Sequence, residues 1–270
     1  MNSAALIQEA SGDNDWKEIE ERITNFIRNV VETAKANGVV VGISGGLDSS
    51  VTVALCVRAL GKDRVLGVAM PTSFTPKDDL EDALKLAESL EIRASVVPID
   101  PIIEAFEKQL PMEPKDRLVL GNLRARVRMV ILYYFANNLN YLVAGTSDRS
   151  EILIGFYTKY GDGASDFMPI AHLYKTEVRK LASYLGLPKK IIFKPSSPQL
   201  WPGHKLTEEL PGDYEVIDPI LKGLFDKRLK PKDISERLKV PMELVQDLED
   251  RYIRASHKRR MPIALLGWEP

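Results

Sequence analysis

Apolar side chains recur in this chain first at helical spacing and then in a short unbroken run. Residues 1–12 have no periodicity and are predicted to be a flexible N-terminus. Asp15 to Glu18 resembles a helix N-cap, and apolar residues follow at positions 19, 23, 26, 27, 30 and 31. This stripe predicts a helix that ends near Gly38. The next run, Val39 to Ile43, is typical of a strand buried on both faces, and it leads through a glycine turn into a helical pattern from about 49 to 60.

The same alternation of strand and helix repeats further along the chain. Strands are predicted at about 65–70, 94–99 and 141–144, with helices at about 77–90 and 122–138. Such alternation predicts an α/β fold, a doubly wound parallel sheet with helices on both faces. Two helical runs between 231 and 254, broken before Pro241, predict a small helical C-terminal segment over about 231–270. We interpret residues 13–270 as a single domain.

Two segments depart from this pattern. Residues from about 195 to 212 contain several prolines and no period, so they are predicted to form a long surface loop that acts as a lid. The helix at about 122–138 is apolar nearly all round and carries Arg124, Arg126 and Arg128 near its start. A helix of this kind is buried by the core or by a partner chain.

Composition narrows the possible partners. The 270 residues include 37 basic and 38 acidic side chains, a formal net charge of −1. This net charge creates no positive electrostatic field that would attract nucleic acid or an anionic membrane. No signal pattern and no membrane-spanning run is present, so we expect a cytoplasmic protein. The single cysteine, Cys56, lies in an apolar run and is predicted to be a buried, unreactive thiol.

The turn after the first strand has the composition of a phosphate-binding loop. Ser44, Gly45 and Gly46 supply a turn without bulky side chains, and the helix that follows adds its positive N-terminal end. Ser49 contributes a hydroxyl, and Asp48 places a carboxylate, a natural Mg²⁺ ligand, beside the phosphates. The spacing matches neither the P-loop of kinases and GTPases nor the dinucleotide-binding glycine motif.

Ser44-Gly45-Gly46-Leu47-Asp48-Ser49 resembles the loop of the ATP pyrophosphatase superfamily. The resemblance implies a fold of the adenine nucleotide alpha hydrolase type and cleavage of ATP between its α- and β-phosphates. Members adenylate a carboxylate or carbonyl oxygen, which a nitrogen or sulfur nucleophile then attacks. The thiolating members generally use further cysteines, and Cys56 alone does not suit that chemistry.

A second polar cluster follows the strand at 141–144 and therefore lies at the same sheet edge. It runs from Gly145 through Glu151, continues over 155–166, and reaches Lys175. Together with the segment 121–129 and the pair His257-Lys258, it resembles the ammonia-dependent NAD synthetase family over about residues 20 to 260. The resemblance implies an enzyme, a ligase that amidates deamido-NAD⁺ with ammonia and releases AMP and pyrophosphate. The chain has no room for the glutaminase domain of glutamine-dependent members.

The resemblance also implies roles for individual residues. Asp48 and Glu151 would hold Mg²⁺, and with Lys175 they would be the catalytic residues. The implied ATP site consists of Gly42, Ile43, Ser44, Gly45, Gly46, Leu47, Asp48, Ser49, Thr146, Lys175 and Ser197. The implied deamido-NAD⁺ site consists of Arg126, Lys159, Asp166, His257 and Lys258. Members of the family are homodimers with this second site at the subunit interface, and the apolar helix at 122–138 independently favours a dimer.

The chain departs from the family pattern at several positions. Gln199 stands where many relatives have aspartate, and Leu206-Thr207 stands where an acidic pair is common. Ser147-Asp148 differs from the Asp-His of many bacterial members. Two other hypotheses remain at this point: another ATP pyrophosphatase that amidates or thiolates a different substrate, and a nucleotide-binding sensor without catalysis. Retention of Asp48 and Glu151 argues against the sensor, because adenosine binding alone needs no metal pair.

Overall fold

Four parallel strands form the central sheet of the computed structural model, which describes residues 15–195, 199–204 and 209–262. The predictions for residues 1–12, Ser197, Leu206 and Thr207 therefore lie outside the described residues. The strands are β1 (Gly38–Gly42), β2 (Val65–Ala69), β3 (Arg93–Val96) and β4 (Tyr141–Ala144), in the order β3-β2-β1-β4. Because the order reverses beside β1, a crevice opens at the carboxyl ends of β1 and β4.

Helices surround this sheet and continue beyond it. Their bounds are α1 Trp16–Thr33, α2 Leu47–Leu60, α3 Lys77–Ser89, α4 Asp100–Gln109, α5 Arg117–Leu139, α6 Arg149–Ile154, α7 Lys175–Tyr184, α8 Lys189–Ile192, α9 Tyr214–Leu221, α10 Pro231–Leu238 and α11 Met242–Arg254. Short 3₁₀ turns cover Lys62–Arg64 and Ala255–Lys258, and a π-helical turn covers Lys222–Asp226. No helix in these ranges is long and apolar enough to cross a bilayer.

Alternating side chains of β1 bury both faces of the sheet. Val39 and Val41 pack into the core formed with α1 and α2, whereas Val40 packs with Ala136 of α5 on the opposite face. All three valines are fully buried, which explains why β1 is an unbroken apolar run. The predicted α/β fold with helices on both faces is confirmed.

A separate apolar cluster joins the C-terminal helices. Ile217 and Leu221 of α9 pack with Ile234 of α10 and with Val245 and Leu248 of α11. The predicted interruption before Pro241 separates α10 from α11. This second cluster fixes α9, which contributes to the site described below.

Two elements differ from the sequence-based predictions. The helix predicted at about 122–138 begins earlier, at Arg117, because the Asp116 side chain accepts hydrogen bonds from the backbone N–H groups of Leu118 and Val119. It is also not enclosed within the chain, since Val130 is 60% and Tyr134 is 66% exposed. The third strand ends at Val96 and not near 99, because Ile99 already has helical backbone angles as the N-cap of α4, although the N–H groups of Val97 and Ile99 still donate to the carbonyls of Ala69 and Pro71.

Candidate functional site

The loop between β1 and α2 is ordered by its own serines. Ser44 Oγ lies 3.0 Å from Ser49 Oγ, and the Ser50 hydroxyl donates to the Gly46 carbonyl at 2.7 Å. Gly46 is the N-cap of α2 and supplies no side-chain cap, so the first N–H groups of the helix remain available to a ligand. An anion at this end of α2 is favoured by those N–H groups and by the helix dipole.

Close packing beneath the loop explains the glycine at position 45. Gly45 has φ +73°, and a Cβ atom there would lie 2.1 Å from the carbonyl oxygen of Asp79. Lys194 donates from Nζ to the Gly45 carbonyl at 2.8 Å, to Asp79 at 2.9 Å and to Asp82 at 2.8 Å. The Gln199 amide also donates to Asp79. Lys194 and Gln199 thus connect the predicted lid segment to the phosphate loop through α3.

A cavity of about 560 Å³ opens above this loop. Most of the residues predicted to contact ATP line it, namely Gly42, Ile43, Ser44, Gly46, Leu47, Asp48, Ser49, Thr146 and Lys175, together with Glu151. Asn122, Arg128, Thr158, Asp162 and Lys258 line its other side. The cavity therefore joins the two sequence segments that were predicted to meet at one sheet edge.

Lys175 lies among three carboxylates, and two of them, Asp48 and Glu151, line this cavity. Its ammonium is 2.6 Å from Asp48, 2.8 Å from Asp148 and 2.8 Å from Glu151. The side chain is 1% exposed, so Lys175 is a buried residue of the site and not a surface lysine of its helix. The Tyr214 ring, with its centroid 5.2 Å from the ammonium, covers the cluster from α9.

Burial controls the ionisation of this cluster. It raises the pKa of Asp148 to about 7, an effect that Lys175 opposes and the charge of Asp48 increases. Burial likewise raises the pKa of Glu151 well above its usual range. Burial would lower the pKa of Lys175, but the charges of Asp148, Asp48 and Glu151 hold it well above its usual range.

The donor set suits a divalent cation. One oxygen from each of Asp48, Asp148 and Glu151 falls within a group whose atoms all lie within 4.8 Å of one another. Three carboxylates against one ammonium leave excess negative charge when all are ionised. Asp48 Oδ1 is buried and has no hydrogen-bond partner among the residues that the structure describes. Carboxylate oxygens of this kind are the usual ligands of Mg²⁺.

Of the residues predicted to hold deamido-NAD⁺, one lines the cavity and the others lie outside it. Lys258 lines it and donates to the carbonyls of Gly155 and Tyr157 at 2.7 and 2.6 Å. Arg126 and Lys159 lie together outside its lining, with the Arg126 guanidinium donating to the Lys159 carbonyl at 3.3 Å.

The other two predicted residues are also outside the cavity lining. Asp166 accepts from the Tyr133 hydroxyl at 3.3 Å and from the backbone N–H of Val143 at 2.7 Å, so it braces the end of β4. His257 is exposed at the end of the chain's helical segment. The roles of Arg126, Lys159, Asp166 and His257 stay predictions.

Asp148 is the site residue that the sequence-based predictions missed. It is fully buried, contacts Lys175, and accepts from the backbone N–H of Glu151 at 2.9 Å as the N-cap of α6. The spacing Asp148-x-x-Glu151 is that of a helix N-cap with an acidic third residue, a signal that marks the start of a helix. That signal could have placed both carboxylates at one helix end facing the sheet edge.

Sequence comparison adds independent support. The profile of the NAD synthase family matches residues 19–262. The NH(3)-dependent NAD(+) synthetase of Hyperthermus butylicus is 49% identical over 253 residues, covering 93% of this chain and 91% of that protein.

Solved structures agree with the sequence relatives. An NH3-dependent NAD synthetase from Campylobacter jejuni superposes with a TM-score of 0.78 at 36% identity, and an NMN synthetase from Francisella tularensis with 0.82 at 30%. Each alignment covers 93% of this chain and 99% of the other. The family predicted from the phosphate loop and the second polar cluster is confirmed, and the chain belongs to the NAD synthase family of enzymes.

Proposed function

We propose that the cavity between the phosphate loop and the carboxylate cluster is where this chain amidates deamido-NAD⁺ with ammonia, consuming ATP. The observation that carries the proposal is the buried Lys175 ammonium among Asp48, Asp148 and Glu151, directly beside the N-terminus of α2. The nicotinate carboxylate attacks the α-phosphorus of ATP, and pyrophosphate leaves. Ammonia then attacks the adenylated carbonyl carbon, loses a proton, and displaces AMP to leave the amide.

The cation that fits the carboxylate cluster is Mg²⁺. Asp48 and Glu151 would hold it, and the position of Asp148 adds a third candidate ligand. Bound Mg²⁺ supplies charge that offsets the repulsion between the carboxylate nucleophile and the triphosphate. Lys175 contributes a fixed positive charge that does not have to be recruited from solvent.

The substrate phosphates are bound by parts of the chain that are already ordered. The N–H groups at the start of α2 and the hydroxyls of Ser44 and Ser49 receive ATP, with Thr146 on the neighbouring strand end. Ser197 stays a candidate for the same site. The hydrogen bonds between the loop serines hold these donors in place, and donors that are pre-organised in this way stabilise the charge that develops in a transition state.

We infer that a second copy of the chain completes the deamido-NAD⁺ site. Arg126, Val130 and Tyr134 are spaced four residues apart on α5 and therefore share one face. Val130 and Tyr134 are 60% and 66% exposed in the single chain, so this face of α5 offers apolar surface to a second copy. Burial of this face in a homodimer would bring Arg126 and Lys159 into an enclosed site. Light scattering on the purified protein tests the dimer.

The decisive experiment is direct synthesis. Purified protein is incubated with ATP, Mg²⁺, deamido-NAD⁺ and ammonium, and NAD⁺ and AMP are measured together. We expect equal amounts of the two products, and little NAD⁺ when glutamine replaces ammonium. Nicotinate mononucleotide is tested in parallel because an NMN synthetase shares the fold. Amidation of the mononucleotide without amidation of deamido-NAD⁺ would reject the proposal.

We also propose a cytoplasmic location and a single domain over residues 13–270.

A further inference from the structure

Asp218 is a buried carboxylate that lies behind the site and outside the cavity lining. It belongs to α9, in the C-terminal apolar cluster, and is 1% exposed. Its Oδ1 accepts from the Ser150 hydroxyl at 2.6 Å, and its Oδ2 accepts from the backbone N–H of Thr176 at 2.8 Å. A carboxylate removed from water is costly unless such donors satisfy it. The reaction described above does not use it.

The two partners of Asp218 belong to the two segments that carry the site. Ser150 precedes Glu151 on α6, and Thr176 follows Lys175 on α7. Ser150 Oγ also accepts from the backbone N–H of Lys175 at 3.0 Å, across 25 positions of sequence. The Asp218 carboxylate and the Ser150 hydroxyl therefore connect the start of α6 to the start of α7.

The hydrogen bonds from Lys175 and Thr176 use backbone N–H groups that have no acceptor within α7. The first N–H groups of α7 have no acceptor within the helix, and Ser150 and Asp218 supply acceptors for those of Lys175 and Thr176. A negative charge at this end of α7 is also favoured by the helix dipole. Without these acceptors the first turn of α7 would have freedom to shift, and the Lys175 ammonium would shift with it.

We propose that Asp218 is a positioning residue that, through Ser150 and the first turn of α7, fixes Lys175 between the carboxylates of the active site. This inference rests on the role proposed above for Lys175. It also gives Asp218 of α9 a part in the reaction, although Asp218 does not line the cavity. Misplacement of a catalytic group by about 1 Å is sufficient to reduce turnover roughly 100-fold.

The test measures the steady-state kinetics of Asp218→Ala and Ser150→Ala, with Asp250→Ala on the exposed face of α11 as the matched control. We expect kcat to fall about 10- to 100-fold in the first two variants, with KM for ATP changed less than about threefold. Asp218→Asn keeps one acceptor for Thr176 and should recover part of the loss. Circular dichroism and unfolding curves establish the folded fraction, by which each rate is corrected. If Asp218→Ala does not fold, Ser150→Ala provides the test, because it retains the buried Asp218 carboxylate.

A double-mutant cycle separates positioning from general structural damage. In the Lys175→Met background the position of residue 175 no longer matters, so Ser150→Ala should add less than about twofold to the loss. Independent, multiplicative losses would overturn the inference, as would unchanged kcat in folded Asp218→Ala and Ser150→Ala. Full activity of Lys175→Met by itself would instead reject the proposed role of Lys175.

Discussion

The ammonium of Lys175 lies 2.6 Å from the carboxylate of Asp48, although 127 positions separate the two residues in the sequence. Lys175 begins α7, and Asp48 is in the first turn of α2. The first residue of α7 and the first turn of α2 therefore contribute side chains to the same cavity. The first N–H groups of α7 are bound by Ser150 and Asp218, whereas those of α2 have no side-chain cap. Negative charge is therefore favoured at the start of α2, which suits the polyphosphate of ATP.

Removal of the Asp48 charge should stop the reaction. Asp48→Asn keeps the size of the side chain but loses a carboxylate of the cluster, and we expect kcat to fall at least about 100-fold. The exposed Asp63→Asn is the control and should keep the parental rate. NAD⁺ formation and circular dichroism are measured on both. Substantial turnover in folded Asp48→Asn would contradict the metal role.

Asp148 should matter for its charge and not only as a helix cap. Asparagine is as good an N-cap as aspartate, so Asp148→Asn preserves the start of α6 while it removes the charge beside Lys175. We expect a loss of kcat of about 10-fold or more and a higher Mg²⁺ concentration for half-maximal activity. Asp148→Ala should in addition lower the free energy of unfolding by about 1 kcal/mol. Parental Mg²⁺ dependence in Asp148→Asn would limit this residue to capping.

A methyl group at position 45 should disrupt the phosphate loop. In Gly45→Ala the new Cβ atom meets the Asp79 carbonyl, so the loop must move, and we expect ATP binding to be lost. Gly186→Ala is the matched control, because Gly186 also has a positive φ, +77°, but a Cβ atom there would have no neighbour within 4 Å. The control substitution should cost about 1 kcal/mol of stability and leave ATP affinity unchanged. Calorimetric titration with ATP compares the two, and equal affinities would contradict the packing argument.

We expect the contact between Gln199 and Asp79 to contribute to ATP binding. Its amide donates to Asp79, whereas an aspartate, the residue common among relatives, would place a second carboxylate against the first. We expect Gln199→Asp to raise KM for ATP about 3- to 10-fold. Gln246→Asp, on the exposed side of α11, controls for added charge. A KM that does not change would show that the contact with Asp79 has no part in ATP binding.

Cys56 should remain unreactive over a wide range of pH. Burial raises the pKa of its thiol to about 12, so the reactive thiolate is scarce below that pH. An exposed cysteine becomes about tenfold more reactive with each pH unit up to roughly 8.5. We expect a thiol-specific chromogenic reagent to detect no thiol in the native protein between about pH 6 and pH 10. It should detect one per chain after denaturation in guanidinium chloride. Rapid labelling of the native protein would show that α2 opens readily.

The parts of this molecule that could be predicted are those with a local sequence signal. The valines of β1 alternate between two cores, and the glycine turn that follows has a composition set by phosphate binding. Asp48 and Glu151 were predicted at the same sheet edge because parallel strands end there together. In each case the signal is the local pattern of a strand and of the turn that follows it.

The remaining parts depend on contacts between distant segments. Nothing near Lys194 in the sequence indicates that its ammonium binds Gly45, 149 positions away. The N-cap spacing of Asp148 and Glu151 indicates a helix start, but the contact of Asp148 with Lys175 is visible only in the structure. Asp218 lies in a helix that was not predicted, and its two partners come from α6 and α7.

The position of α9 has a consequence for the order in which the enzyme is made. The phosphate loop leaves the ribosome well before Asp218 and Lys258. A nascent chain that lacks them has a nucleotide loop without the groups that organise the opposite wall of the cavity. Because domains generally fold as complete units, we expect a nascent chain to consume no ATP before α9 has been translated. The late position of α9 would thus couple ATP consumption to the synthesis of the opposite wall of the site.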